Sequence, residues 1–382
     1  MARALYIHWP FCLKKCPYCD FNSHVRDGVD IDRWQAALLA DMRHEAELAG
    51  GEALESVFFG GGTPSLMPPA LVAALLAEAE RLWGFAPGIE ITLEANPSSV
   101  EASKFRDLAT AGVNRVSLGL QALDDEALHF LDRLHDVREG IEALDVAQRA
   151  FERVSFDLIY ARPGHTPEQW QRELARALAF GTGHLSLYQL TIEEGTRFAT
   201  DVRQGAFVPL ADDPAADLFA ITRALTDAAG LPAYEVSNHA RPGEESRHNL
   251  TYWRYQDYAG IGPGAHGRRG GMATRRHKKP ENFLAAMGRN GHGLAEERAL
   301  IPREQMAEAL LMGLRLREGV DTGRLAGRFA LPGPAIDRDR LTFYEKLGLA
   351  WSEGTRVGVT PQGMPVLDAL LGELVPDALA AA

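Results

Sequence analysis

Three cysteines, Cys12, Cys16 and Cys19, are the only ones in a chain of 382 residues, and all lie in the stretch FCLKKCPYCDF at positions 11–21. Clustered this tightly, with no signal-peptide pattern before them, they point to metal binding rather than to a disulfide framework. Structural zinc closes its shell with four protein ligands, so His8, His24 or a distant residue would have to complete it. A cubane [4Fe–4S] cluster normally takes four thiolates; with three, one iron is left open for a small molecule. The iron–sulfur cluster is the expectation and zinc the alternative. Lys14 and Lys15 are placed to favour thiolate over thiol. Pro17 stiffens the loop and removes an N–H that would otherwise need a partner.

Other residues able to do chemistry recur at corresponding places. Gly60-Gly61-Gly62 follows the apolar run SVFF, where a backbone without side chains can approach a ligand closely. Glu94, in LEANP, could pair with an ammonium or accept from a hydroxyl. Gln121 and Asp157 each close an apolar run, and Arg133 could bind a carboxylate bidentately. Tyr6 stands six residues before Cys12. Phe11 and Phe21 flank the cysteines and are expected to exclude water.

The elements that must position these residues alternate. Strand-like runs at 4–9, 56–62, 89–97, 115–121, 154–160 and 184–190 are separated by stretches with apolar residues at helical spacing, such as 68–83 and 166–180. Six βα units imply a parallel sheet. The polar and glycine-rich positions fall at the C-terminal end of each strand, which favours a partial (β/α)6 barrel, whose strand ends share one mouth, over an open doubly wound sheet. AYEVSNHA (233–240) adds one more strand. From about 300, three helices (one from Pro302, then 321–329 and 335–347) precede a hairpin at 348–360 and a last helix from Pro361, a winged-helix-like α+β pattern. The expected division is 1–232 for the barrel, 233–298 for a connecting segment carrying HNLTYW, 299–372 for the C-terminal module and 373–382 for a tail.

Composition is that of a soluble globular protein, with 46% hydrophobic and 24% charged residues. No apolar run is long enough to span a bilayer, so a cytoplasmic location is the expectation. A formal charge of −12 argues against general nucleic-acid binding. Residues 296–372 hold ten Lys/Arg and eleven Asp/Glu, so the C-terminal module lacks a basic footprint. The exception is RRGGMATRRHKK (268–279), with six Lys/Arg, expected to be a solvated loop or else a site for phosphate or ligand carboxylates.

YIHWPFCLKKCPYCDF, FFGGGTPSLM, LEANP, LGLQAL, LDRLH and DLIYARPGHT together resemble the radical S-adenosylmethionine (SAM) superfamily, in its coproporphyrinogen dehydrogenase-like branch. RHNLTYW followed by DYAGIGPGAHG is most similar to the heme chaperones of that branch. The resemblance covers essentially the whole chain. It implies a radical SAM-type partial barrel, a [4Fe–4S] cluster on Cys12, Cys16 and Cys19, and SAM at the open iron. It implies Tyr6, Gly61, Gly62, Thr63, Glu94, Gln121, Arg133 and Asp157 as SAM or second-SAM residues, and assigns no catalytic residue. It further implies heme as ligand, with His248, Tyr252 and Trp253 as candidates beside His239, His266 and His277, and the basic run 268–279 as a partner for heme propionates. A heme-acceptor protein, membrane-associated or not, and an electron donor such as a flavodoxin or ferredoxin would be partners. The other reading within the branch is an oxygen-independent coproporphyrinogen III dehydrogenase. That enzyme carries a further cysteine where Phe21 stands and a substantial segment before the cysteine loop. ARPGHT (161–166) departs from the Gly-Leu-Pro-Gly-Gln-Thr-like sequence of the family, leaving Arg162 and His165 without an assigned role.

Overall fold

The computed structural model of the protein describes residues 2–375 apart from 27, 50–51 and 332–334. The run ALYIHW forms strand β1 (Ala4–Trp9), almost continuously buried on both faces, as a central parallel strand must be. Next come β2 (Leu54–Gly61), β3 (Phe85–Ala95), β4 (Arg115–Gln121), β5 (Arg153–Tyr160) and β6 (His184–Gln189). Each pairs in parallel with its predecessor, in the order 1-2-3-4-5-6. No strand order reverses along this run. The six βα units therefore wind in one sense, as in a barrel, and their C-terminal ends face one side.

The sheet continues beyond both ends of that run. β7 (Asn238–Ala240) pairs antiparallel with β6, and β8 (Tyr258–Ile261) pairs in parallel with β1. β9 (His266–Arg269), β10 (Met272–Arg276) and β11 (Leu294–Ala299) extend it antiparallel, giving eleven strands. Among the described residues β7 and β11 each have a neighbour on one side only, so the arc stays open. The segment 233–298 thus supplies strands to both ends of the sheet.

Helices cover the outside where the sequence signals them. Pro69–Trp83 starts with proline at its first turn and stops at Gly84, whose φ is 72°. Pro167–Leu178 opens with a reciprocal Thr166–Gln169 capping box. The departing loop ARPGHT is built rather than slack. Arg162 donates to Glu173 at 2.5 Å, and the same carboxylate accepts from Leu123 N at 2.7 Å, tying the end of β5 to the turn after β4.

The run 268–279 corrects the sequence expectation. It is not a solvated loop, for most of it forms β9, β10 and the turn between them, and its arginines are engaged, which leaves only its lysine end open to an anion. Arg276 is fully buried and donates to Glu45 (2.6 Å) and Asp41 (3.3 Å) on the helix Ile31–Ala49, and Arg269 pairs with Glu45 and Glu297. Asp41 also accepts from Gly262 N and Gly293 N. Lys278 and Lys279 at its end stay exposed, as does Gly270 in the turn.

In the C-terminal module, helix Pro302–Gly313, strand Val320–Asp321, helices Thr322–Phe329 and Arg338–Lys346, and the hairpin Ala350–Glu353/Arg356–Val359 follow winged-helix order. The hairpin gains a third strand, Val320–Asp321, that the sequence did not suggest. The expected tail begins inside the last helix, Leu367–Leu374, and residues 376–382 lie outside the described residues. Arg315 lies over the Trp253 ring at 4.9 Å, and Tyr255 donates to Glu308 at 2.5 Å, joining module to barrel.

Arg276→Met keeps the bulk but leaves buried Asp41 without its cation, while Glu45 keeps only Arg269. The expected loss of stability is about 3 to 5 kcal/mol, since an uncompensated buried charge costs far more than a packed apolar replacement. Urea unfolding of the variant beside wild type measures it.

Candidate functional site

The site is assembled where β1, β2, β3 and β4 end. Phe11 packs edge-on against Trp9 and Trp34 at 5.1 and 5.2 Å, so the entry to the cysteine loop is anchored in the core. The strand-two turn grips the same loop: Gly62 N donates to Trp9 O (2.7 Å) and Thr63 N to Phe11 O (2.8 Å). Glycine is required here. A Cβ on Gly62 would lie 2.7 Å from the Phe11 carbonyl oxygen, and one on Gly61, whose φ is 115°, would lie 2.5 Å from the His8 ring. Asn22 closes the far side, donating to Pro263 O and Lys278 O and accepting from His8 through its own carbonyl.

Each sulfur has a polar neighbour. Thr63 Oγ1 donates to Cys12 Sγ (3.4 Å), Arg133 Nη1 to Cys16 Sγ (3.2 Å), and Ser23 Oγ lies 3.9 Å from Cys19 Sγ. Burial pushes the Cys12 and Cys19 thiols up, against the Thr63 hydroxyl on Cys12 and the Lys15 charge on Cys19. Lys15 thus favours thiolate as expected but is outweighed by burial, and Lys14 is engaged with Asp132 at 2.5 Å. A bound metal would supply the missing charge, since a coordinating thiol is deprotonated outright.

The donor set fits an iron–sulfur cluster. Three partly exposed thiols share one loop, and each of Cys12 and Cys19 feels the field of its cysteine neighbours. Beside them Arg133 is a cation paired with no carboxylate among the described residues; it donates instead to Asn96 Oδ1 (2.6 Å) and Gly119 O, and its buried Nε has no partner. Such a cation suits an anionic guest. Among the described residues no three His, Cys, Asp or Glu side chains already converge as a metal site, and binding would draw the loop's sulfurs together.

The other predicted residues divide by place. Tyr6, Gly61 and Glu94 line a cavity of about 550 Å³ beside the loop, with His8, His24, Tyr252, Tyr258, His266 and Lys278. Glu94 accepts from Gly61 N at 3.1 Å, and burial together with the Asp157 charge pushes its carboxyl up to about 8. Asp157, held by Ser117, is raised to about 6, mainly by burial. Gln121 closes β4 in the left-handed region at φ 67°, strain of the kind that concentrates at functional sites. Thr63 and Arg133 act on the sulfurs.

The HNLTYW residues lie differently. His248 is buried, with Nδ1 bonded to Ser56 Oγ (3.1 Å) and Nε2 to Tyr252 Oη (2.5 Å), and its ring stacks on Phe58 at 4.8 Å. Burial, reinforced by Arg115, holds its pKa at about 3. Both ring nitrogens are thus occupied inside the core, and a heme ligand role for His248 would require one of these bonds to be given up. Trp253 faces Arg315 of the C-terminal module, away from the cavity. Only Tyr252 of the three reaches the cavity wall. His239 is a core residue of β7, 1% exposed. Residues not singled out for the site include Asn22, Asn96 and Tyr258. Asn96 and Tyr258 sit in the motifs LEANP and DYAGIG, and Asn22 immediately follows the cysteine loop.

Fold and site define a radical SAM protein. The sequence model of the radical SAM superfamily matches residues 6–177, and that of the HemN C-terminal domain matches residues 300–366. The heme chaperone HemW of Mycobacterium tuberculosis is 35% identical over 97% of this chain and 94% of its own; that of Escherichia coli is 41% identical over 69% and 70%. A bovine mitochondrial radical S-adenosyl methionine domain-containing protein 1 is 42% identical over 83% of this chain and 74% of its own. The solved structure of Escherichia coli coproporphyrinogen III oxidase (HemN) superposes with a TM-score of 0.82 at 23% identity, covering 97% of this chain and 89% of that one, a likeness of fold. The chain belongs to the HemW family within the coproporphyrinogen dehydrogenase-like branch of the radical SAM superfamily.

Glu94 yields a pH prediction for the metal-free protein. Below about 4.5 both folded and unfolded states hold its proton; between there and about 8 only the folded state does, so stability falls as pH rises across that window. Glu94→Gln removes the penalty. Its melting temperature relative to wild type should climb across the same window, and a difference independent of pH would contradict the assignment.

Proposed function

We propose that this protein is a heme chaperone: it binds heme and passes it to an acceptor protein, while Cys12, Cys16 and Cys19 carry a [4Fe–4S] cluster with SAM at its open iron. The observation that carries the reading is the likeness to HemW over 97% of the chain, which includes the three-cysteine loop. When bound, the cluster would supply one electron to SAM. The chain's own residues do the rest. The Gly61–Gly62 turn offers backbone to SAM where no side chain fits. Arg133 balances negative charge at Cys16 and Thr63 donates to Cys12. Tyr6, Glu94, Gln121 and Asp157 form the polar surround, with a protonated Glu94 able to donate as well as accept.

An electron donor such as a flavodoxin or ferredoxin would approach the loop from outside, where Leu13 and Phe21 are 61% and 58% exposed beside Lys15. The proposed division assigns 1–232 to the cluster and SAM and 299–372 to protein contact. No helix among the described residues is long and apolar enough to cross a membrane.

Anaerobic reconstitution followed by heme titration tests the reading. Wild type should take up about four irons and four sulfides per chain and show a heme Soret band on titration. Cys12→Ala should lose the cluster. Decarboxylation of coproporphyrinogen III by the reconstituted protein with SAM and a reductant would overturn the chaperone assignment in favour of the dehydrogenase.

A further inference from the structure

The cavity beside the cysteine loop has a graded lining. Its floor is Tyr6, Gly61 and Glu94, closely packed and accounted for by SAM. Its mouth is different: Lys15, His266 and Lys278 are all exposed there. Neither Lys15 nor Lys278 makes an ion pair among the described residues, which is unusual in a chain of net charge −12 where most other cations near the site are paired. Asp20 is the one carboxylate of the lining besides Glu94, which lies deep and whose pKa burial pushes up to about 8. Aromatic surface stands between floor and mouth. Tyr252 and Tyr258 meet edge to face at 4.4 Å, and Phe21 is more than half exposed at the lip.

The cavity's histidines are not equivalent. His8 is bonded at both nitrogens, to Tyr6 and to Asn22 O, and His24 bonds Asn22 Oδ1. His248, behind the Tyr252 wall, is also doubly bonded. The His266 side chain alone makes no hydrogen bond among the described residues, and it opens to the cavity from the start of β9. The partly covered ring, with the charges of Arg275 and Lys278 beside it, has its pKa held below the usual imidazole value.

An aromatic wall, a free imidazole and two unpaired ammonium groups at one opening suit a flat conjugated dicarboxylate with a metal at its centre. The cavity of about 550 Å³ would be shared, with SAM on its floor and heme only at the open mouth beside Phe21, Tyr258 and His266. We propose that heme binds at this mouth with His266 as an axial ligand to its iron and with Lys278 and Lys15 meeting its propionates. The placement rests on the heme-carrier reading and moves the iron ligand from the buried HNLTYW helix to the loop GIGPGAHG.

The test is an anaerobic titration of reconstituted protein with ferric heme and, separately, with its dimethyl ester, followed by absorbance. The proteins are wild type, His266→Ala, Lys278→Glu and His248→Ala, each checked for folding by circular dichroism. His266→Ala should shift the Soret band and weaken binding by about tenfold or more, and added imidazole should restore the band position. Lys278→Glu should weaken the free acid but not the diester, and wild type should prefer the free acid. Folded His248→Ala should keep the wild-type band. A His266→Ala titration identical to wild type in band and affinity overturns the ligand, as does loss of the band in folded His248→Ala alone. Equal affinity of wild type for acid and diester overturns the lysine contacts. A wild type that takes up no heme at all removes the carrier reading itself, and this placement with it.

Discussion

Everything at the site depends on how closely the second strand's turn approaches the cysteine loop. Two backbone hydrogen bonds, Gly62 N to Trp9 O and Thr63 N to Phe11 O, set the loop on the end of the sheet. They form only because residues 61 and 62 lack side chains: the space a Cβ would need is filled by the His8 ring on one side and the Phe11 carbonyl on the other. The aromatic packing of Trp9, Phe11 and Trp34 makes the contact rigid from below. A loop carrying three thiols would otherwise be a mobile chelator, and this anchoring holds it beside a defined cavity.

Charge is distributed to match. Arg133 is brought among the sulfurs without a carboxylate to neutralise it, so its charge is available to an anionic centre. On the cavity side the same burial that would make an ionised Glu94 costly keeps it protonated. The two effects reinforce each other: positive charge is retained at the cluster end, and negative charge is suppressed at the floor. Farther out, the carboxylates Asp41, Glu45 and Glu297 are engaged by Arg269 and Arg276, so the antiparallel extension is locked to the helix Ile31–Ala49.

Much of this was legible in the residues, and the rest failed for identifiable reasons. The six strands were readable because each is a short apolar run ended by glycine or a polar residue, and their common mouth followed from that regularity. The cysteine loop was readable because its donors are adjacent in sequence. The basic run 268–279 was misread because local composition cannot reveal partners 220 or more residues away: Arg276 finds Asp41 and Glu45 only once β8 has paired with β1. The strand Val320–Asp321 is two residues long and carries no period. His248 is ambiguous for a related reason. A histidine followed at helical spacing by Tyr252 reads equally well as a ligand with an aromatic platform or as a packed hydrogen-bonding pair, and the burial of the His248 ring against Phe58, with its nitrogens bonded to Ser56 and Tyr252, favours the second.

That ambiguity bears on how an acidic chain could handle an anionic macrocycle. If the iron ligand lay in the HNLTYW helix, heme would have to displace Tyr252 or Ser56 from a buried imidazole and then open the stack on Phe58, a cost borne at every loading and every release. A ligand on the lip has no such bonds to break. Holding by one open imidazole and two surface ammonium groups gives an occupant that is gripped by charge and aromatic contact yet remains reachable from solvent. A carrier requires both properties, since whatever receives the cargo must gain access to it before the donor lets go.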